Sequence, residues 1–97
     1  IILDPPKFGR GPNGKVWDYF EDITGLLALC KRALSPNPSC ICLTSYAIQA
    51  SALIPHQALQ ETVKGLGGHT SSGELVTVDK SQGHILSHSL FSRWTSD

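Results

Sequence analysis

Residues 1–20 read IILDPPKFGRGPNGKVWDYF, and the fold turns on how this stretch is parsed. Ile1-Ile2-Leu3 is a short, wholly apolar run, the pattern of a strand covered on both faces. Asp4-Pro5-Pro6 ends it, because neither proline can donate to a ladder and Pro6 restricts Pro5 to extended geometry. Gly9-Arg10-Gly11-Pro12-Asn13-Gly14 then satisfies G-x-G-x-x-G. A dinucleotide fingerprint needs its first glycine at a strand-to-helix turn, with the helix N-terminus cradling the pyrophosphate. Here Pro5 to Phe8 intervene, Pro12-Asn13 turns where a helix should start, and the next strand ends without an acid to hold a ribose. The better reading is a bent surface loop over residues 9–16. A substrate-facing loop in which Arg10 and Lys15 meet phosphates is the alternative.

Beyond this stretch, Asp18 and Glu21 have capping-box-like spacing, and the spacing predicts a helix from Asp18. Trp17, Phe20, Ile23, Leu27, Cys30 and Leu34 recur at helical intervals as its expected buried stripe. Acids near its start and Lys31 and Arg32 near its end suit the helix dipole, and Ser35-Pro36-Asn37-Pro38 stops it. Ser39 to Tyr46 reads as a second strand, Ala52 to Leu66 as a second helix ended by Gly65, Gly67 and Gly68, and Glu74–Val78 with His84–Phe91 as a hairpin. The expected fold class is α/β, in the order β-α-β-α-β-β: parallel strands with right-handed crossovers, then a terminal hairpin that makes one strand antiparallel.

The chain has 97 residues, enough for one small domain, and equal numbers of acidic and basic residues, which exclude an overall basic footprint for nucleic acid but leave a local patch open. No apolar run of about 18 residues exists, so no membrane span is expected. Cys30, Cys40 and Cys42 suggest no disulfide framework, which favours a reducing, cytoplasmic setting. The chain lacks methionine and opens inside a strand; residues 1–97 are therefore expected to be one partial domain whose upstream part lies elsewhere.

Asp4 is the informative residue. In open parallel sheets, ligands bind beyond the carboxyl ends of the strands, where a carboxylate before a rigid turn aims acceptors into a crevice. Asp-Pro-Pro followed two residues on by an aromatic resembles the fourth motif of class I S-adenosylmethionine-dependent methyltransferases. The run DPPKFGRGPNGKVW, with Leu43 to Tyr46, Gly73-Glu74 and Arg93-Trp94, resembles a bacterial branch related to large-subunit ribosomal RNA methyltransferases.

The resemblance implies the C-terminal half of a seven-stranded, Rossmann-like sheet, with Ile1–Leu3 as its fourth strand and the glycine-rich cofactor loop upstream. It implies S-adenosylmethionine as cofactor, bordered by Asp4, and RNA as substrate. Asp4 and the carbonyl of Pro5 would accept hydrogen bonds from an amino target, with Pro6 completing the turn and Phe8 as the stacking surface. The resemblance gives Lys7 no catalytic role. Read from the residues alone, Lys7, like Arg10 and Lys15, is either a contact to substrate phosphate or a solvated side chain. Tyr46, at the next strand's end, either faces cofactor or base or packs half-buried with its hydroxyl at the surface. Relatives that methylate carbon five of cytosine use a cysteine nucleophile near that strand end. Here Ser45, Tyr46 and Ala47 stand there, and Cys40 and Cys42, earlier in the strand, read as core packing.

The rival readings are a noncatalytic remnant or oligomerisation module that dimerises through its exposed leading strand, and methylation of a protein side-chain amide. The histidines are expected to be surface groups rather than metal ligands; His84 and His88 share a strand face but stand too far apart for comfortable joint ligation.

Overall fold

The structure, a computed structural model, describes residues 1–36 and 38–97. Its elements are β1 (Ile2–Leu3), β2 (Phe8–Arg10), a 3-10 turn (Pro12–Gly14), β3 (Val16–Asp18), α1 (Tyr19–Ala33), β4 (Cys40–Ser45), α2 (Leu53–Thr62), β5 (His69–Val78) and β6 (Ile85–Thr95). Four strands form one sheet in the order β1-β4-β6-β5, and β2 and β3 pair separately. β1 runs parallel to β4, while β6 is antiparallel to both its neighbours, so the last strand is the reversed one. This is the expected β-α-β-α-β-β order with one insertion.

That insertion corrects the sequence reading. Residues 9–16 are not a loop: Phe8, Gly9 and Arg10 pair antiparallel with Asp18, Trp17 and Val16 across a tight turn. Asn13 and Gly14 take left-handed φ values of 61° and 76° there, which asparagine and glycine tolerate best. The amide of Gly11 is spent on the carbonyl of Lys15 at 2.8 Å. No helix follows the glycines directly, so the dinucleotide fingerprint fails on geometry.

α1 begins as expected, with the Asp18 carboxylate accepting from the Phe20 amide at 3.0 Å. The reciprocal partner is Asp22, not Glu21: it accepts from the Asp18 amide at 2.8 Å. The buried stripe is Tyr19, Ile23, Leu27 and Cys30. Phe20 is exposed, and Trp17 lies on β3. The helix closes at Ala33; Asn37, part of its expected stop signal, lies outside the described residues.

Both helices cover one face of the sheet. The core joins Tyr19, Ile23, Leu27 and Cys30 of α1 to Ile41 and Leu43 of β4, Leu59 and Val63 at the end of α2, and Trp94 of β6. The thinnest dimension, 19 Å, fits a sheet with a single layer of helices. α2 is shorter than expected, ending at Thr62, with Pro55 buried in its first turn. At Gly68, where φ is 79°, an added Cβ would lie 2.2 Å from the carbonyl oxygen of Thr95, so the backbone approach that seats Trp94 requires glycine. The hairpin strands run longer than expected: β5 starts at His69 and β6 reaches Thr95. No helix among the described residues is long and apolar enough to cross a membrane.

Candidate functional site: the turn after the first strand

Because β1 and β4 are parallel and pair Leu3 with Leu43, their carboxyl ends meet at one edge, which brings Asp4 beside Thr44. The ladder stops there, since Pro5 and Pro6 offer no N–H. The Thr44 hydroxyl donates to Asp4 Oδ1 at 2.5 Å, and the carbonyl oxygen of Leu3 is its more distant neighbour at 3.3 Å.

The inserted hairpin folds back and locks the turn. Trp17 Nε1 donates to the carbonyl of Pro6 at 2.6 Å, and the Tyr19 amide donates to the carbonyl of Lys7 at 2.9 Å. Two successive carbonyls are thereby consumed. Among the described residues, the carbonyls of Asp4 and Pro5 and the second carboxylate oxygen of Asp4 hold no hydrogen bond. The turn thus offers acceptors and no backbone donor at its two prolines. Sequence reading missed Trp17 in this role. Its signal was an indole placed where the Gly-Pro-Asn-Gly reversal returns the chain to the prolines.

Phe8 opens β2 with 53% of its surface exposed, and Lys7, Arg10 and Lys15 are all exposed on or beside the hairpin. Between Asp4 and Asp18 every charged side chain is basic, so the arm that leaves the turn is locally cationic in a chain of net charge zero. Tyr46 follows β4 with 42% exposure. It heads a strained loop: Ala47 and Gln49 hold positive φ values of 55° and 45°, a conformation that costs a non-glycine residue about 1 kcal/mol or more. This loop and Ser87 to Leu90 of β6 line a cavity of about 210 Å³, too small to enclose a nucleotide. Asp4 and Phe8 do not line it, so the structure joins Asp4 to Thr44 but does not gather Asp4, Phe8 and Tyr46 into one cavity.

Beneath the end of β4 lies a buried pair. The Tyr19 hydroxyl and Ser45 Oγ are 2.5 Å apart, and both residues are almost wholly enclosed. Burial pushes the Tyr19 phenol above its ordinary 10.0, with the Ser45 hydrogen bond opposing.

Cys40 and Cys42 correct another expectation. They alternate away from the core, half-buried on the face of β4 opposite the helices, whereas Cys30 does belong to the core. Burial pushes the Cys42 thiol up, Cys40 adds to the shift, and Arg93 opposes it. A thiol held protonated is a poor nucleophile. His84 lies in the turn before β6, while His56 bonds Ser72 at 2.6 Å and His88 bonds Thr77 at 2.5 Å. Among the described residues no three His, Cys, Asp or Glu side chains group closely enough to hold a metal ion.

A sheet with a parallel β1-β4 pair, two helices on one face, and an antiparallel last strand inserted before β5 is the fold of a fragment of a SAM-dependent methyltransferase. The particular likeness is to the crystal structure of the SAM-dependent methyltransferase from Agrobacterium tumefaciens: TM-score 0.92, 44% sequence identity, covering 99% of this chain and 32% of that one. The chain thus spans about a third of that protein's length. No protein-family model matches the chain, and a search of the curated proteins finds no match.

The residues present suit the reactive end of S-adenosylmethionine rather than its nucleotide. Asp4 offers a carboxylate oxygen, and Pro5 a carbonyl, to a cationic sulfur or an amine. The glycines of the inserted hairpin make a strand turn, not a cradle.

Proposed function

We propose that residues 1–97 form part of the catalytic domain of a class I S-adenosylmethionine-dependent methyltransferase acting on RNA, such as ribosomal RNA, in the cytoplasm. The observation that carries the reading is the selective exhaustion of carbonyls in the turn: those of Pro6 and Lys7 are bonded, while that of Pro5 stands open beside the Asp4 carboxylate. The cofactor, when bound, supplies an electrophilic methyl group on a positively charged sulfur.

The chain's own residues would do the positioning. Asp4 and the Pro5 carbonyl accept the hydrogens of an amino group, which turns its lone pair outward along the line of displacement. The same oxygens stabilise the positive charge that grows on the nitrogen as its bond to carbon forms, and Asp4 is placed to receive the proton the methylated amine must shed. Pro6 and Trp17 hold the turn, Phe8 gives an exposed ring for a base to stack on, and Tyr46 is exposed beyond the end of the neighbouring strand.

RNA is supported by the cationic arm of Lys7, Arg10 and Lys15, whose contacts would be to phosphate and therefore sequence-independent. A cytoplasmic setting is supported by three free cysteines.

The test is Asp4→Ala in the longest natural polypeptide that contains this chain. A fall in kcat of about 100-fold is expected, with cofactor affinity much less affected. Near-normal turnover would remove Asp4 from the mechanism, and activity on peptide substrates free of nucleic acid would point to side-chain amides instead.

A second reading is favoured by one observation. Ile2 is 83% exposed, and among the described residues its strand pairs with β4 alone, leaving an edge that a second copy of the chain would fill. Size-exclusion chromatography of the 97-residue chain decides it. A dimer that Ile2→Lys dissociates supports strand pairing, and a monomer at all concentrations ends it.

A further inference from the structure

We infer that Thr44 is a positioning residue for the acceptor turn: its hydroxyl holds one oxygen of Asp4 and so decides which oxygen faces the group to be methylated. This rests on the methyltransferase reading and adds to it a residue outside the turn.

An exposed aspartate ordinarily samples several rotamers, and each hydrogen bond it offers a substrate must first collect it into one. Asp4 is exposed, yet it is tethered from the neighbouring strand. Thr44 suits the task because it is β-branched, stiff about χ1, and lies within the paired part of β4. Its hydroxyl has one proton to give. The choice between Asp4 at 2.5 Å and the Leu3 carbonyl at 3.3 Å falls to the carboxylate, where the bond is shorter and charge-assisted. With Oδ1 occupied, the remaining oxygen is the one left for an incoming amine.

The surroundings keep this point clear. Opposite Thr44 on β6 stands Phe91, a ring large enough to cover the bond. Phe91 in turn faces Gly73 on β5, and an added Cβ at Gly73 would come within 3.0 Å of the ring. The phenyl therefore lies over the glycine, toward β5, instead of over Thr44. A row of residues across the open face, Asp4, Thr44, Phe91 and Gly73, leaves the carboxylate reachable at its end.

The experiment compares Thr44→Val, which keeps shape and removes the hydroxyl, with Thr44→Ser, which restores it, in the full-length enzyme alongside Asp4→Ala. Thr44→Val is expected to lower kcat about tenfold, with KM for cofactor and RNA within about twofold. Thr44→Ser should recover most of the loss. Adding Thr44→Val to Asp4→Ala should cost nothing further, since the hydroxyl acts only through that carboxylate. The inference is overturned if Thr44→Val has wild-type kcat while Asp4→Ala is impaired. It is equally overturned if Ser and Val variants are equally slow, or if the double variant loses the product of the single losses. If Asp4→Ala is itself silent, or if the wild-type protein transfers no methyl group, it is the underlying reading that has failed, and the role of Thr44 falls with it.

Discussion

Toward the helices, β4 sends Ile41, Leu43 and Ser45; toward the open side of the sheet it sends Cys40, Cys42 and Thr44. The first set is wholly enclosed and meets residues from both helices and from β6. The second set is half-buried, and its Thr44 holds the Asp4 carboxylate. One strand with a two-residue period thus separates the work of folding from the work of the site. Side chains on the helix face are fixed by packing, so a change there is felt as lost stability. Side chains on the other face are only half-buried among the described residues, so a change there should cost this chain less stability.

The sharpest way to break that contrast is Leu43→Ala. Leu43 is fully enclosed among core residues of both helices, and its truncation should cost about 2–5 kcal/mol, read from the urea midpoint at constant m. A loss no greater than that at the open-face positions would mean the helices do not pack as described.

Tyr19→Phe comes next. It strands the Ser45 hydroxyl, 2.5 Å from the lost phenol oxygen, in a buried place, at a cost of about 1–3 kcal/mol. The phenol also makes stability depend on pH. Burial raises its folded pKa above the ordinary 10.0, so the unfolded chain ionises first. The stabilisation is whole below pH 10.0 and is lost as pH climbs through the folded value. Unfolding free energies measured on both sides of that pH should show the decline in the wild type and a smaller one in Tyr19→Phe. Equal slopes would mean that Tyr19 is open to solvent.

The same division explains what was legible in the sequence. Core positions announce themselves by periodicity, so α1, β4 and the order of elements could be read. Phase at the first turn of α1 could not, since Tyr19 and Phe20 stand four and three residues before Ile23 and both satisfy a helical repeat. The fold places Tyr19 inside, within the core and with its hydroxyl on Ser45, far away in sequence. The start of β5 was hidden for a related reason. His69 to Gly73 is a polar stretch on an edge strand, and its Ser72 is satisfied by Ser92 at 2.8 Å rather than by apolar burial. The β2-β3 hairpin has three-residue strands with a glycine in one, too short for alternation to show. In the site, Asp-Pro-Pro was legible because proline's chemistry is local. Thr44 and Trp17 were not, because each acts through a partner that only the fold brings near.

Cys42 gives the smallest expected effect and the finest test of the contrast. It shares the open face with Thr44 and stands opposite Arg93 on β6, so Cys42→Ala should change stability by about 1 kcal/mol or less. Its chemistry is the more telling readout. Burial raises the thiol, the neighbouring Cys40 raises it further, and Arg93 offsets only part of this, so Cys42 should be alkylated more slowly in the folded chain than after unfolding in urea. As pH rises, its rate should still be climbing above the value for a free thiol, ordinarily 9.0, where the rate of the unfolded chain levels off. Fast alkylation of Cys42 near neutral pH would reveal an activated thiolate on the face that carries Asp4. The positioning mechanism through Asp4 and Pro5 would then have to yield to a covalent one.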